Sequence, residues 1–293
     1  MGRGVESSER EVTTVSIRVV VLVTITTVLA AALACAGSME PVTAPVSVPY
    51  PDGFSQASIE LDFGVAHIDA DAAGTQLVEG NITYNTLGRE PEITVSDDRV
   101  HIKQSGPAGV VGSGSINNWV LHFGAEMPFS LEIEAGAYTG NWELGGLPLT
   151  ALNVTEGAAS STYSFSAANP EAMACLHIGA GAGSMRLLDV VNANFERLSY
   201  DGGAGSLVLD LGGELVRDGV VDIDAGAASV TVVVPEDTPA RVDIAGGASS
   251  IEADAGFELL SGDYVTPAWT GHEGPGLEIQ VNVVAGSLTL TLE

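Results

Sequence analysis

One short pattern recurs along this chain and restricts its fold more than any other feature. Six segments read LEIEAGAYTGNWEL from Leu131, LNVTEGAASSTYSF from Leu152, LHIGAGAGSMRLLD from Leu176, LSYDGGAGSLVLDL from Leu198, VDIDAGAASVTVVV from Val221 and VDIAGGASSIEADA from Val242. A seventh, IQVNVVAGSLTLTL from Ile279, nearly ends the sequence, and IELDFGVAHIDADA from Ile59 is an earlier member. Aligned on the corner glycine, the position five before it is always apolar: Ile59, Leu131, Leu152, Leu176, Leu198, Val221, Val242 and Ile279. The position three before it is apolar as well, from Leu61 and Ile133 through Tyr200 and Ile223 to Val281. Between the two stand Glu60, Glu132, Asn153, His177, Ser199, Asp222, Asp243 and Gln280, all polar. Alternation with period two and a fixed face marks a half-buried strand. It resumes after the corner, as in Leu207, Leu209 and Leu211.

The Gly-Ala-X-Ser corner has its own physical reason. A tight bend between two strands needs either a left-handed backbone or close backbone approach, and glycine permits both. Alanine and serine are small enough to stack at the same corner of neighbouring layers. The last repeat carries Val284 at the aligned glycine, so its bend is expected to differ. The corner glycines Gly136, Gly157, Gly181, Gly203, Gly226 and Gly247 recur at a step of about 22 residues. No helix-period segment intervenes.

These features predict an all-β fold: a single-stranded, right-handed β-solenoid with rungs of about 22 residues, each contacting its neighbours. A β-sandwich with coincidental glycine turns fits eight matched columns poorly. The stretch from Phe257 to Gly276, which holds Trp269 and His272, reads as a loop insertion before the last repeat. Between Gly74 and Ser130 the repeat is harder to see. NITYNT and EITVSDDRVHIKQ read as strands there, and residues 105–118 as a surface loop. The final rung ends at Glu293 with no evident cap, which predicts an open sheet edge.

The first 35 residues read as a targeting segment. Arg18 precedes Val19–Ala34, an uncharged and mostly apolar run that is short for a membrane span. The run closes on Ala32-Leu33-Ala34-Cys35, which resembles a bacterial lipobox and implies that Cys35 is lipidated. In the alternative, the segment is an uncleaved anchor and Cys35 is incidental. Both place the remainder outside the cytoplasm. Cys175 is the other cysteine, so acylation of Cys35 leaves no intramolecular disulfide. Residues 36–55, with Pro41, Pro45, Pro49 and Pro51, read as an extended tether ahead of a domain spanning residues 56–293.

Charge narrows the function classes. The formal net charge is −28, and Lys103 is the single lysine. Such a field repels phosphate backbones and excludes nucleic acid as a partner, while it keeps an edge-rich β protein soluble. The five histidines show no i/i+4 pair and no cysteine partner, so no metal site is expected. Glycine runs such as Gly202–Gly205 lack the following helix and Lys-Ser/Thr of a phosphate loop, and no cofactor is expected. Paired outward carboxylates occur at Asp69 with Asp71, Glu132 with Glu134 and Asp222 with Asp224. No pair stands out as an acid/base couple. Asp201 and Asp224 share one outward column, and Asp222 and Asp243 another. Carboxylates on adjacent strands would repel unless solvated or bridged by calcium.

The chain resembles the bacterial toast-rack family of single-stranded β-helix domains, some of them associated with the response to cell-wall-active antibiotics. The resemblance covers roughly residues 56–293. It rests on the GAG/GAA-S corners, VEGNITYN from Val78, NNWVLHF from Asn117, and the closing GDYVTPAW…LEIQVNVVAGSLTL. It implies an envelope location and a role in sensing or protecting the envelope, and it supplies no catalytic residues.

The expected function is that of a non-enzymatic envelope lipoprotein with an acidic interaction surface. Asp201, Asp222, Asp224, Asp243 and Trp269 are the candidate binding residues, and an envelope membrane protein or a cationic peptide is the candidate partner. A surface adhesive or structural module and a polysaccharide-active β-helix enzyme are the alternatives.

Overall fold

The computed structural model describes residues 38–105, 114–248 and 250–293. Cys35 and the targeting segment lie outside them. In chain order the strands are β1 (Ser38–Val48), β2 (Ala57–Gly74), β3 (Val78–Thr86), β4 (Glu92–Ser96), β5 (Arg99–Gln104), β6 (Asn117–Gly124), β7 (Phe129–Glu143), β8 (Leu149–Ser164), β9 (Cys175–Leu188), β10 (Arg197–Asp210), β11 (Gly219–Val234), β12 (Ala240–Ile244), β13 (Ser250–Ala253), β14 (Glu258–Leu260), β15 (Asp263–Val265) and β16 (Leu277–Leu292). They join in one open sheet. Short 3-10 turns occupy Val190–Ala193 and Pro267–Trp269.

The middle of the sheet is a parallel ladder in which equivalent repeat positions face each other. Leu131 pairs with Leu152, Leu152 with Leu176, Leu176 with Leu198 and Leu198 with Val221. Each strand bends at its corner, so apolar side chains on both arms enter one interior. In β10, Leu198 and Tyr200 before the bend and Leu207 and Leu209 after it are all buried. Fully burying a leucine or valine contributes about 1.5–3 kcal/mol, as an upper bound, so each added layer brings its own stabilisation. Aromatic rings fill the N-terminal layers: Phe63 packs on Trp119 and Tyr138, and Trp142 stacks on Tyr163 with centroids 5.8 Å apart.

The corner glycine is required by close approach rather than by a left-handed backbone. A Cβ on Gly181 would lie 2.4 Å from the carbonyl oxygen of Gly157, and one on Gly157 would lie 2.8 Å from that of Gly136. At Gly64, where the column begins, a Cβ would meet nothing within 4 Å. The alanines and serines stack as expected. Ser184, Ser206, Ser229 and Ser287 are in register, and Ser206 Oγ donates to Ser184 Oγ at 3.0 Å. Val284, aligned with the glycines, is 68% exposed.

Both ends of the stack depart from the sequence expectation. Residues 38–48, expected in an extended tether, form β1, which pairs antiparallel with β3. Pro41 and Pro45 are tolerated there because β1 is an edge strand whose outer side needs no donors. The obscure stretch after Gly74 completes one layer in two pieces. Strand β5 pairs with the first arm of β2, and β6 with its second arm. Antiparallel additions β4, β3 and β1 lie outside them.

At the other end the chain does not stack in sequence order. Strand β16 inserts between β11 on one side and β12 with β13 on the other. The open edge expected at the last repeat is therefore covered, and the preceding repeat is the outermost. Its two arms are the separate strands β12 and β13. The expected loop insertion contains the antiparallel pair β14 and β15, and β15 pairs with β12. Leu259 and Leu260 of β14 and Ile251 of β13 remain exposed at this end.

Candidate functional site

Most bases of the described chain are consumed on the strand faces. Lys103 pairs with Asp62 at 2.6 Å, Arg241 Nε donates to Asp263 at 2.6 Å, and Arg217 pairs with Glu196 at 3.2 Å. Arg197 pairs with Asp222. Four histidines sit beside acids: His67 by Asp69, His101 by Glu60, His122 by Asp71 and His177 by Asp201. These groups are partly exposed, and each such pair contributes at most about 1 kcal/mol.

The sequence-derived candidates fall into three places. Asp201 and Asp224 are direct neighbours on β10 and β11, as expected. Asp224 also accepts a hydrogen bond from Asn282 Nδ2 at 2.8 Å. Asp222 and Asp243 are not neighbours. Gln280 of β16 stands between them, which interrupts the expected carboxylate row. Both line a shallow depression of about 250 Å³ with Arg241 and Glu278. Trp269 ends the second 3-10 turn, on the connection into β16, and packs on His272 with centroids 4.7 Å apart. Among the described residues no group of three or more acids, histidines or cysteines is arranged to hold a metal.

His272 leads to a site that sequence reasoning missed. It lines a cleft of about 510 Å³ between three connections: residues 213–215 after β10, 237–239 after β11, and 272–275 before β16. Glu214, Asp237 and Glu273 supply its acids, and Leu215, Pro239 and Pro275 its apolar surface. No Lys or Arg lines it. Among the described residues, the three carboxylates make no ion pair and no side-chain hydrogen bond. His272 Nδ1 lies 2.6 Å from the Trp269 carbonyl oxygen and so carries the proton, which leaves Nε2 as an acceptor in the neutral ring.

The walls are held from beneath. Thr266 is fully buried, and its hydroxyl donates to the Thr238 carbonyl at 2.7 Å and accepts from the Ala240 N–H at 3.0 Å. The Gly276 N–H donates to Asp218 at 3.0 Å, and the Leu277 N–H to the Pro239 carbonyl at 2.8 Å. Asn192 Oδ1 accepts from the Glu214 N–H at 3.0 Å, while its amide donates to the Phe165 carbonyl. With these backbone groups satisfied, the cleft is a preformed acceptor surface suited to ammonium or guanidinium groups. The one signal in the sequence was an acid in each of three connections on the same side of the stack, and it emerges once the strand order is known.

A second polar cluster is internal. Glu156 is buried one residue before its corner glycine. It accepts from Tyr138 Oη at 2.7 Å and from Ser161 Oγ at 3.1 Å, and Tyr138 and Tyr163 share a further hydrogen bond. Burial pushes the Glu156 carboxyl above its usual range, and the hydroxyl donors offset part of that shift.

Residues 42–187 match the family model described as the N-terminal domain of toast_rack, DUF2154. Over that stretch the chain belongs to the toast-rack family. The fold is similar to the crystal structure of a "putative cell adhesion protein" from Clostridium sporogenes, at 18% identity and a TM-score of 0.50. That alignment covers 87% of this chain and all of the other. A "putative adhesin" from Bacteroides fragilis aligns at 10% identity and a TM-score of 0.40, over 87% of this chain and 98% of that one. No curated protein matches the sequence. No helix among the described residues is long and apolar enough to cross a membrane.

Proposed function

We propose that this protein is a non-enzymatic binding module of the bacterial cell surface, anchored through a lipid on Cys35. The stack is a right-handed single-stranded solenoid with rungs of about 22 residues. Its cleft holds a cationic group of an envelope-active peptide or of a membrane partner. One observation carries this reading: Glu214, Asp237 and Glu273 line one cleft that no Lys or Arg lines, while Lys103, Arg197, Arg217 and Arg241 are ion-paired elsewhere. Carboxylates converging without a counter-charge raise the local concentration of cations.

The test is titration of a fluorescent Lys/Arg-rich peptide into the protein at two salt concentrations. Affinity should fall steeply with salt, and Glu214→Gln/Asp237→Asn/Glu273→Gln should weaken binding about tenfold while the melting temperature holds. Equal affinity of the triple variant would remove the cleft from the proposal. The adhesive reading draws support from the fold shared with the Clostridium sporogenes protein and from Leu259 and Leu260 exposed at the end of the sheet. It predicts concentration-dependent self-association, lost in Leu259→Ser/Leu260→Ser, which analytical ultracentrifugation resolves.

A further inference from the structure

The chain enters its fold almost immediately after the proposed lipid attachment site. Ala36 and Gly37 are all that separate Cys35 from Ser38, the first residue of β1. Three peptide steps span at most about 10 Å. Ser38 pairs with Thr86, and the turn that follows Thr86 places Leu87 at the surface, 64% exposed. Gly88 completes that turn with φ +76°.

The turn is braced. The Asn85 amide donates to the Gly114 carbonyl at 2.8 Å, Asn85 Oδ1 accepts from the Ile116 N–H at 2.7 Å, and Thr86 and Ser115 share a hydrogen bond at 3.1 Å. An exposed leucine on a braced turn, beside the strand that receives the anchor, is placed to meet apolar material.

We propose that this end of the stack rests on the bilayer, with Leu87 at the lipid interface and the stack standing end-on. The inference rests on the anchoring reading and holds equally if the apolar run Val19–Ala34 remains uncleaved. Two observations favour an end-on stance. The link is short enough to hold the first strand of the stack within about 10 Å of the anchor, and the chain is strongly acidic, so broad contact of the strand faces with anionic headgroups is disfavoured. Glu40 and Glu90 near the turn are exposed and are not attracted to anionic headgroups, so the contact proposed for Leu87 relies on apolar burial. The cleft then lies roughly 40 Å along the stack from the membrane, counting strand spacings of about 4.8 Å.

A photocrosslinking amino acid at Leu87 or, separately, at Leu259 of the full-length protein in phosphatidylethanolamine/phosphatidylglycerol vesicles tests this directly. Lipid adducts should form from position 87 and not from position 259, with little dependence on salt. A flexible Gly/Ser insert of about twenty residues after Gly37, spanning roughly 25 Å, should lower the yield at 87 several-fold while the protein stays membrane-bound. Equal adducts at both positions, or none at 87 in a protein that still sediments with vesicles, would overturn the end-on contact and leave the anchor standing. A protein that fails to sediment with vesicles would overturn the anchoring reading itself.

Discussion

Asp222 and Asp243 occupy the same position in repeats that follow one another in sequence, yet Gln280 lies between them and pairs with each. Two strand spacings separate the carboxylates' backbones by about 9–10 Å, and calcium holds its oxygens at about 2.3–2.6 Å. The acidic row therefore offers no bridged site across β11 and β12. Asp222→Asn is expected to change any calcium-induced shift in melting temperature by less than about 1 °C, within the range of weak surface effects. A rise of several degrees that Asp222→Asn abolishes would reverse this conclusion.

The same threading makes the C-terminal repeat an internal support. Strands β12 and β13 find their parallel partner in β16. Ending the chain at Gly276 should strip hydrogen-exchange protection from residues 240–253 as well as lower the melting temperature. A truncated protein that keeps protection there would mean that β12 can dock on β11 directly.

Corner glycines should differ by position. At Gly181 the added methyl of alanine would meet the Gly157 carbonyl, which belongs to the backbone and cannot swing away. Gly181→Ala is expected to cost about 1–3 kcal/mol, or roughly 3–10 °C for a chain of this size. Gly64→Ala meets open space and should be nearly neutral. Thermal unfolding of the two variants side by side decides whether close approach is the constraint.

Glu156 ties stability to pH. Its carboxyl is raised in the folded state, first by burial, so the native protein binds its proton more tightly than the unfolded chain does. The contribution is fully present below the ordinary value of 4.5 and is lost as pH rises through the higher native value. Glu156→Gln removes that loss and keeps an amide oxygen to accept from Tyr138, while its Nε2 can donate to Ser161 Oγ in a reversed hydrogen bond. The variant should therefore gain on the parent by a few degrees at pH 8 relative to pH 4. A melting difference independent of pH would show that Glu156 does not titrate differently in the two states.

Much of this fold is written locally. Leu198, Tyr200, Leu207 and Leu209 announce a bent strand and its inner face through period-two alternation, which depends on a residue and its near neighbours. Gly181 announces a corner because a backbone passing another at van der Waals contact excludes a Cβ. The family resemblance, drawn from these same corners, holds over residues 42–187. Proline misled at the N-terminus: Pro41 and Pro45 read as a tether, although an edge strand accepts proline wherever a donor is not needed.

Within the repeats, the sequence by itself determined which residues form strands, which faces they bury and where they turn, because side-chain sterics and alternation act over a few residues. Only the tertiary structure decided which strand lies beside which. Strands β11, β12 and β16 carry near-equivalent columns, so any order satisfies the local pattern. In the fold β16 lies between β11 and β12, and the β14 and β15 pair covers the other side of β12. The acidic cleft followed from that order, since Glu214, Asp237 and Glu273 are distant in sequence and converge only when β16 sits between its neighbours.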